Sequence, residues 1–475
     1  MATTKAELAA TKGELERLRV ENAELKAKLG KNSSNSSKPP STDPPSKPKP
    51  KPKKSRGRGR KRGGQPGHQR HLAPTPDHVD AVRKHRAETC GNCQADLRDG
   101  ELTGSVVHHY TYELPEIRPI VTDDQCCDVA CPRCGKVTPA SLPPEVPRGG
   151  FGPRVQAMIG MVRGELRQSV RQASAVMTRL YHVPMSMGAV CKVQNQVSQA
   201  LASPHAEAHQ YAKEHPRPHA DETGWWQDKL RAWLWVAVCG PVAVFLVRSK
   251  RNAAVAKELL GETFRGILTT DRWASYNWIA PELRQLCWAH LKRDFTSFLD
   301  YGAEGKRLGT KLLIETRKLF RLWKRIRDGT LTRSKFQEKM VPVRERIEEL
   351  LKEGERQTSA PKVKGMCKQI LKLRKALFSF VDVEGVEPTN NLAERVIRFA
   401  SIWRRLCFGS DSKSGAEFVE RFLTVRATLR LQNRDLYSFL VEACTAAQQG
   451  TPPPSLLPVA VPSAESLDDP LPIAA

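Results

Sequence analysis

The stretch His219-Ala220-Asp221-Glu222-Thr223-Gly224-Trp225-Trp226 sets an acidic pair directly before two apolar runs, and that order restricts the fold around it. Leu230 to Val238 and Val242 to Val247 are rich in Val, Leu and aromatic residues and are separated by Gly240-Pro241. Such residues suit a pleated, half-buried surface, so the two runs read as paired strands joined by a turn. Asp221 then sits on the strand before them, as fits a small, twisted nuclease sheet. A polar helix from about Asn252 to Gly261 leads to Gly266-Ile267-Leu268-Thr269-Thr270-Asp271, an apolar strand with a second Asp at its C-terminal end. Sites in open α/β sheets gather at that end.

Arg284 to Trp288 reads as the next strand, running into Cys287-Trp288-Ala289-His290-Leu291-Lys292-Arg293-Asp294. The lone Cys-x-x-His pair suits a metal or, for Cys287, plain packing. His290 reads as a group that positions phosphate or water, with Lys292 and Arg293 as DNA contacts. Farther on, Pro388-Thr389-Asn390-Asn391-Leu392-Ala393-Glu394-Arg395-Val396-Ile397-Arg398 opens a helix with Thr389 or Asn390 as N-cap. Glu394 shares a face with Asn390 and Arg398, where it suits either an ion pair with Arg398 or a third carboxylate of the site. Three carboxylates ionised together repel one another unless cations intervene. Two Mg²⁺ ions, or Mn²⁺, about 3.5 to 4 Å apart would offset that repulsion and serve in-line phosphoryl displacement. Arg395, Arg398, Arg404, Arg405 and Lys413 would hold DNA beside them.

A chain of 475 residues exceeds what one core organises. Its charge of +26, from 77 Lys and Arg against 51 Asp and Glu, favours a polyanionic partner over a membrane. The longest apolar run, Ala232 to Val247, is interrupted by Gly240-Pro241 and too short to span a bilayer, and no signal-peptide pattern opens the chain. We therefore expect a soluble, cytoplasmic protein with reduced cysteines.

The N-terminal segment, 5–30, repeats Leu8, Leu15, Asn22 and Leu29 every seven residues, with Thr11, Leu18 and Leu25 between them. This is a short zipper pattern whose Asn fixes register in a parallel dimer; a solitary amphipathic helix is the alternative. Composition then shifts over 31–75 to Ser, Pro, Gly, Lys and Arg, too little apolar surface to offset ordering entropy. This disordered arm holds ten Lys and Arg and no acid between Lys47 and Arg62, among them Lys53, Lys54, Arg56, Arg58, Arg60, Lys61 and Arg62. With six to ten phosphate contacts, affinity would fall by about 10³ to 10⁵ between 50 and 200 mM salt.

Within 76–147 stand Cys90-Gly91-Asn92-Cys93 and Cys131-Pro132-Arg133-Cys134, with 37 residues between the pairs. Four thiolates from two tight turns suit a structural, tetrahedral Zn²⁺, provided that strand-like Gly104 to Leu114 folds back. Cys126, Cys127, His108 and His109 are spare ligands. Residues 150–203 read as helices, the last two, Val170 to Tyr181 and Ala189 to Leu201, flanking a turn at 182–188. That is compatible with a helix-turn-helix DNA reader or with an ordinary helical connector. The catalytic core occupies 215–295 and 386–445, and 296–385 is an all-α insertion. A Pro-rich tail covers 446–475.

Together, His219 to Trp225, Thr270-Asp271-Arg272-Trp273-Ala274-Ser275-Tyr276, Cys287-Trp288-Ala289-His290 and Asn390-Asn391-Leu392-Ala393-Glu394-Arg395 resemble the core motifs of the insertion sequence 66 transposases, in their large subunit. The resemblance extends to the zipper, Gly63-Gly64-Gln65-Pro66-Gly67-His68, the Cys pairs, Phe408-Gly409-Ser410 and Gly415-Ala416. It implies a multidomain α/β protein with a ribonuclease-H-like core, an Asp-Asp-Glu triad of Asp221, Asp271 and Glu394, and cutting and joining of double-stranded DNA at element ends. It also implies small accessory proteins from the same element, and the zipper suggests a homodimer or higher oligomer. A DNA-binding regulator without chemistry and a nuclease that cuts without joining are the competing readings.

Overall fold

The computed structural model describes residues 75–458 except 103, 105, 144, 145 and 148, together with 13–15, 17–19 and 21–22. Those N-terminal residues are helical, with Leu15 and Leu18 exposed. Leu8, Thr11, Leu25 and Leu29 of the expected zipper, and all of the arm except its last residue, lie outside the described residues.

Residues 75–118 form one unit and 119–458 another. In the first, the Cys90–Cys93 turn is closed by Cys90 N donating to Ala95 O at 2.8 Å and Gln94 N to Cys90 O at 3.0 Å. The strand expected over 104–114 does not form among the described residues, which are exposed and make no ladder there. The alternation is present in the sequence, but a strand requires a partner for its backbone groups. The second unit begins with a hairpin of β1 (Val129–Ala130) and β2 (Val137–Thr138), wrapped around the Cys131–Cys134 turn. Its closure repeats the first, with Cys131 N to Lys136 O at 2.9 Å and Gly135 N to Cys131 O at 2.8 Å.

Helices α1 (Pro153–Gly160), α2 (Val170–Leu180), α3 (Met187–Ala200) and α4 (Ala202–Glu214) follow. Ser169 caps α2 through a capping box with Gln172, and Ser186 caps α3, so the turn between them is set by local chemistry. The inner faces of these helices share one core with the sheet below. Between α1 and α2 a π-helical turn, Met161–Glu165, brings Gly164 against Phe422, where an added Cβ would lie 2.3 Å from the ring.

The sheet contains β3 (His219–Gln227), β4 (Leu230–Cys239), β5 (Val242–Arg248), β6 (Leu268–Thr270) and β7 (Arg284–Leu286), in the order β5-β4-β3-β6-β7. The first three are antiparallel neighbours; β6 and β7 join in parallel, with His219 opposite Thr269. Helix α5 (Ala253–Leu260), capped by Asn252, supplies the crossover that a parallel neighbour needs. The strand expected from Arg284 to Trp288 ends at Leu286.

Five helices come next: α6 (Trp288–Phe298), α7 (Gly302–Arg327), α8 (Arg333–Gln357), α9 (Pro361–Lys372) and α10 (Ser379–Asp382). They enclose a second core that runs from Leu286 to Val386 and includes Phe295, Phe336 and Phe380. The all-α insertion thus takes in α6, which begins ahead of the expected start at 296. Trp288 anchors it by donating from Nε1 to Leu377 O at 2.7 Å.

The chain then returns through α11 (Asn391–Cys407), α12 (Lys413–Leu431) and α13 (Leu436–Gln449). Strand β5 is an edge whose outward amides need partners, and α12 provides them. Ala243 N, Phe245 N and Val247 N donate to Thr428 Oγ1, Thr424 Oγ1 and Glu420 Oε1 at 3.0, 2.9 and 2.7 Å. Two strand residues advance about 6.7 Å and four helical residues about 6 Å, so the two ladders keep step. This polar stripe closes the sheet edge against pairing with another chain. Beyond α13, residues 451–458 dock rather than trail: Leu456 is buried, and its N–H and the Ser455 hydroxyl both donate to Glu207.

Candidate active site

Asp221 is the third of the nine residues of β3, opposite Val236 of β4, and Asp271 follows the last residue of the adjacent β6. Glu394 is in the first turn of α11. Three separate elements therefore deliver carboxylates to one end of the sheet. Burial pushes the Asp221 carboxyl well above the usual carboxylate range, and the negative charges of Glu222, Asp271 and Glu394 push it further. Burial also raises Glu394, with Asp271 adding to the rise while Arg293 and Arg398 oppose it. Removal from water and mutual repulsion thus act on the same groups, the condition in which cations become favourable.

Each of these acidic residues is positioned by its own set of bonds. Asp221 Oδ1 accepts from Glu222 N at 2.9 Å, and Asp271 Oδ1 accepts from Trp273 N at 2.8 Å. Arg284, buried in β7, donates to Asp271 O at 3.3 Å and to Asn277 Oδ1 at 3.1 Å. Asn390 is the N-cap residue of α11, yet its side chain makes no capping bond. Instead Nδ2 donates to Ala220 O at 2.8 Å, and its backbone N–H donates to Cys287 Sγ at 3.2 Å. One buried residue ties the helix of Glu394 to the strand of Asp221 and to the start of α6.

Glu222 has a different task. Its side chain is 1% exposed; Oε1 accepts from Arg251 Nε and Nη2 at 2.9 and 2.7 Å, and Oε2 accepts from Tyr276 Oη at 2.6 Å. Arg251 is held between Trp273 and Trp233, its Cζ 3.6 and 4.6 Å from the ring centroids. Burial and Asp271 raise the Glu222 carboxyl, and Tyr276 and Arg251 counter them. This network packs behind Asp221 and Asp271.

His290, one turn into α6, faces Glu394 with Nδ1 3.5 Å from Oε1. Burial, reinforced by Arg293, lowers the imidazole to about 4, so the ring is neutral at pH 7 and the contact is not an ion pair. Glu394 meets His290 here; no ion pair with Arg398 forms among the described residues. Cys287 caps α6 and is buried, and its sulfur, His290 and Glu394 bring ligand atoms within 4.8 Å of one another.

Of the basic residues expected along DNA, Lys292, Arg395, Arg398 and Arg405 reach the surface and Arg293 is half-buried. Arg404 is committed inward: Nη1 donates to Thr223 Oγ1 at 3.0 Å and to Gly224 O. Lys413 reaches toward Glu417 across one helical turn, at 4.0 Å. Cys90 and Cys93 lie in one unit and Cys131 and Cys134 in the other. The first thiol of each pair is held below its usual pKa by backbone N–H groups, of Cys93 and Asn92 for Cys90 and of Arg133 and Cys134 for Cys131.

A family model described as "Transposase IS66 family" matches residues 148–418, more than half of the chain. The chain belongs to the IS66 transposase family. The IS66 match spans Asp221, Asp271, Cys287, His290 and Glu394 and begins after both Cys-x-x-Cys turns. A separate family of unknown function (DUF6444) matches residues 2–74. The uncharacterized protein y4qI of Sinorhizobium fredii is 27% identical over 245 residues, 47% of this chain. The matched region is 45% of that relative, so the comparison spans about half of each protein. No described helix of this IS66 chain is long and apolar enough to cross a membrane.

The roles of Asn390, Arg284, Arg251 and Tyr276 were not foreseen. Asn390 and Tyr276 stand inside the motifs that carry the resemblance, but nothing in their local pattern tells which distant atom they hold.

Proposed function

We propose that this IS66-family chain is a divalent-metal-dependent DNA transposase with a ribonuclease-H-like core, cutting element ends and joining them to a target. The observation that carries the reading is the arrival of Asp221, Asp271 and Glu394 from β3, the end of β6 and α11 within electrostatic reach of one another. A sheet of three antiparallel strands continued by two parallel ones supports the core assignment. The carboxylates fit hard divalent cations: partly buried, mutually repelling oxygen donors have no use for one another without positive charge between them. Asp221, Asp271 and Glu394 would hold Mg²⁺ or Mn²⁺, which activates the attacking oxygen of water or a sugar hydroxyl and stabilises the leaving oxygen.

The chain's own groups prepare that chemistry. Asn390 and Arg284 fix the backbones on which the carboxylates stand, and the Glu222 network keeps the wall behind them rigid. His290, neutral at working pH, orients phosphate or water through its ring nitrogens. Arg293, with Lys292, Arg395, Arg398 and Arg405 around it, counters the charge of the DNA backbone, and the basic arm adds contacts outside the core. Within each Cys turn, N–H groups directed at the first sulfur favour the thiolate, the form in which cysteine binds a structural Zn²⁺. The Leu-rich N-terminal segment would bring two copies, and so two ends, together.

The test incubates purified protein and its Asp271→Ala variant with labelled element-end DNA and target plasmid, in Mg²⁺, Mn²⁺ or EDTA, with and without the accessory proteins. Metal-dependent joined product that Asp271→Ala abolishes is the expected result. Cutting without joining would replace the transposase with a nuclease, and salt-sensitive binding with neither product would replace it with a regulator.

A further inference from the structure

Cys287, His290 and Glu394 form a donor set that a magnesium site does not need. Nδ1 of His290 and Oε1 of Glu394 lie 3.5 Å apart, and the Cys287 sulfur lies within 4.8 Å of a ring nitrogen of His290 and a carboxylate oxygen of Glu394. Each of the first two atoms is buried and without a hydrogen-bond partner, although the side chains that carry them are each 32% exposed. Two buried electron-rich atoms facing each other are unfavourable unless a proton or a cation lies between them. Tetrahedral bonds of about 2.1 Å to nitrogen and oxygen separate the two donors by about 3.4 Å. The observed spacing matches that value.

The sulfur needs a cation beside it to ionise. Burial pushes the Cys287 thiol up to about 11, against which the Asn390 N–H, donating to Sγ at 3.2 Å, and the N-cap position of Cys287 on α6 favour the thiolate. Thiolate and imidazole select borderline and soft cations, whereas Mg²⁺ prefers oxygen alone. The part-exposed side of His290 and Glu394 leaves room for water as a fourth ligand.

We propose that Cys287 Sγ, His290 Nδ1 and Glu394 Oε1 are a three-ligand site for a divalent cation of the zinc class, separate from the carboxylate set of Asp221 and Asp271. Glu394 serves one site or the other. On the transposase reading, on which this consequence alone rests, a zinc-class ion withdraws the third carboxylate and holds the enzyme inactive until it is removed.

The experiment counts metal on the chelator-stripped, full-length protein, using Co²⁺ followed by absorption and Zn²⁺ by equilibrium dialysis. Wild type, Cys287→Ser, His290→Gln and Glu394→Gln all keep Cys90, Cys93, Cys131 and Cys134, so any metal held there is common to all four. Each variant is expected to lose one bound equivalent, and Cys287→Ser to lose the thiolate-to-cobalt charge-transfer band that belongs to that equivalent. His290 and Glu394 are part-exposed, so their variants preserve the measurement if the buried Cys287→Ser protein unfolds. Equal metal counts in wild type, His290→Gln and Glu394→Gln overturn the proposal. The metal count uses no DNA, so the two readings fail separately: no such equivalent in wild type, with Mg²⁺-dependent joining intact in the plasmid assay, refutes this site alone, and an equivalent present in wild type, with no joining after that ion is stripped and Mg²⁺ supplied, refutes the transposase reading alone.

Discussion

Replacing Arg251 by Met isolates what the guanidinium does for Glu222. Two of the three hydrogen bonds to the carboxylate vanish and Tyr276 alone remains, around a side chain that is 1% exposed. An unpaired buried carboxylate takes up a proton when that is the smaller cost, which sets a ceiling on the loss. From an ordinary value of 4.5, protonation at pH 7 costs about 3.4 kcal/mol, and at pH 5 about 0.7 kcal/mol. Loss of the stacking on Trp273 and Trp233 adds about 1 kcal/mol at either pH. Because burial already raises Glu222 in wild type, these figures bound the loss, at up to about 4 kcal/mol at pH 7 and about 2 kcal/mol at pH 5. The sign follows because the variant's folded state binds the proton more tightly than the unfolded chain does. Its stability is retained below 4.5 and lost as pH rises.

Calorimetry of wild type, Arg251→Met, Glu222→Gln and the double variant at both pH values reads this directly. At roughly 2 °C per kcal/mol for a unit of this size, Tm should fall by up to about 8 °C at pH 7 and up to about 4 °C at pH 5. In the Glu222→Gln background Arg251→Met should lose only the stacking contribution. An equal loss at both pH values, or the same loss in both backgrounds, would refute the assignment of Arg251 as the counter-charge of a buried carboxylate.

Asn390→Ala cuts the bond from α11 to Ala220 O and should lower Mg²⁺-dependent strand joining by about 100-fold, the scale of a 1 Å misplacement. A rate within twofold of wild type in the plasmid assay would deny Asn390 its positioning role. His205, bonded through Nε2 to Phe245 O at 3.0 Å, is lowered to about 4 by burial, so its contribution is complete above pH 6.5 and is lost as pH falls toward 4. The loss amounts to about 3 kcal/mol, and denaturation of His205→Gln across that range should show a correspondingly flatter profile. Replacing Lys53, Lys54, Arg56, Arg58, Arg60, Lys61 and Arg62 by Ser should reduce the slope of log affinity against log salt by about 6, measured by fluorescence anisotropy. An unchanged slope would mean that the arm does not touch phosphate.

Much of the sheet was legible because its signals are local. Apolar β-branched runs around Gly240-Pro241, and Asn252 capping the helix that follows, lie within a few residues of the structure they specify, and β3 to β6 form where the pattern places them. The strand expected over 104–114 failed for the opposite reason: alternation describes a face, and the partner that would use it is not determined locally. Helix α6 was assigned too late because Trp288 to Phe298 has core-facing residues whose core, built from α7 to α10, is a hundred residues long in sequence.

By itself the sequence determined which residues are chemically able to act: the carboxylates Asp221, Asp271 and Glu394, the thiol and imidazole of Cys287 and His290, and the concentrated charge of the arm. Side-chain chemistry is a property of single residues, and spacing along a strand or helix is fixed by the backbone. Tertiary structure decided which of them meet. Glu394 faces His290 in place of its helical neighbour Arg398, Arg404 turns inward to β3, and Asn390 gives up its cap to hold Ala220. The Glu420, Thr424 and Thr428 stripe of α12 closes the β5 edge almost two hundred residues away. Such pairings are settled by the burial of polar groups, which must find partners wherever packing brings them and cannot be read from the order of the chain.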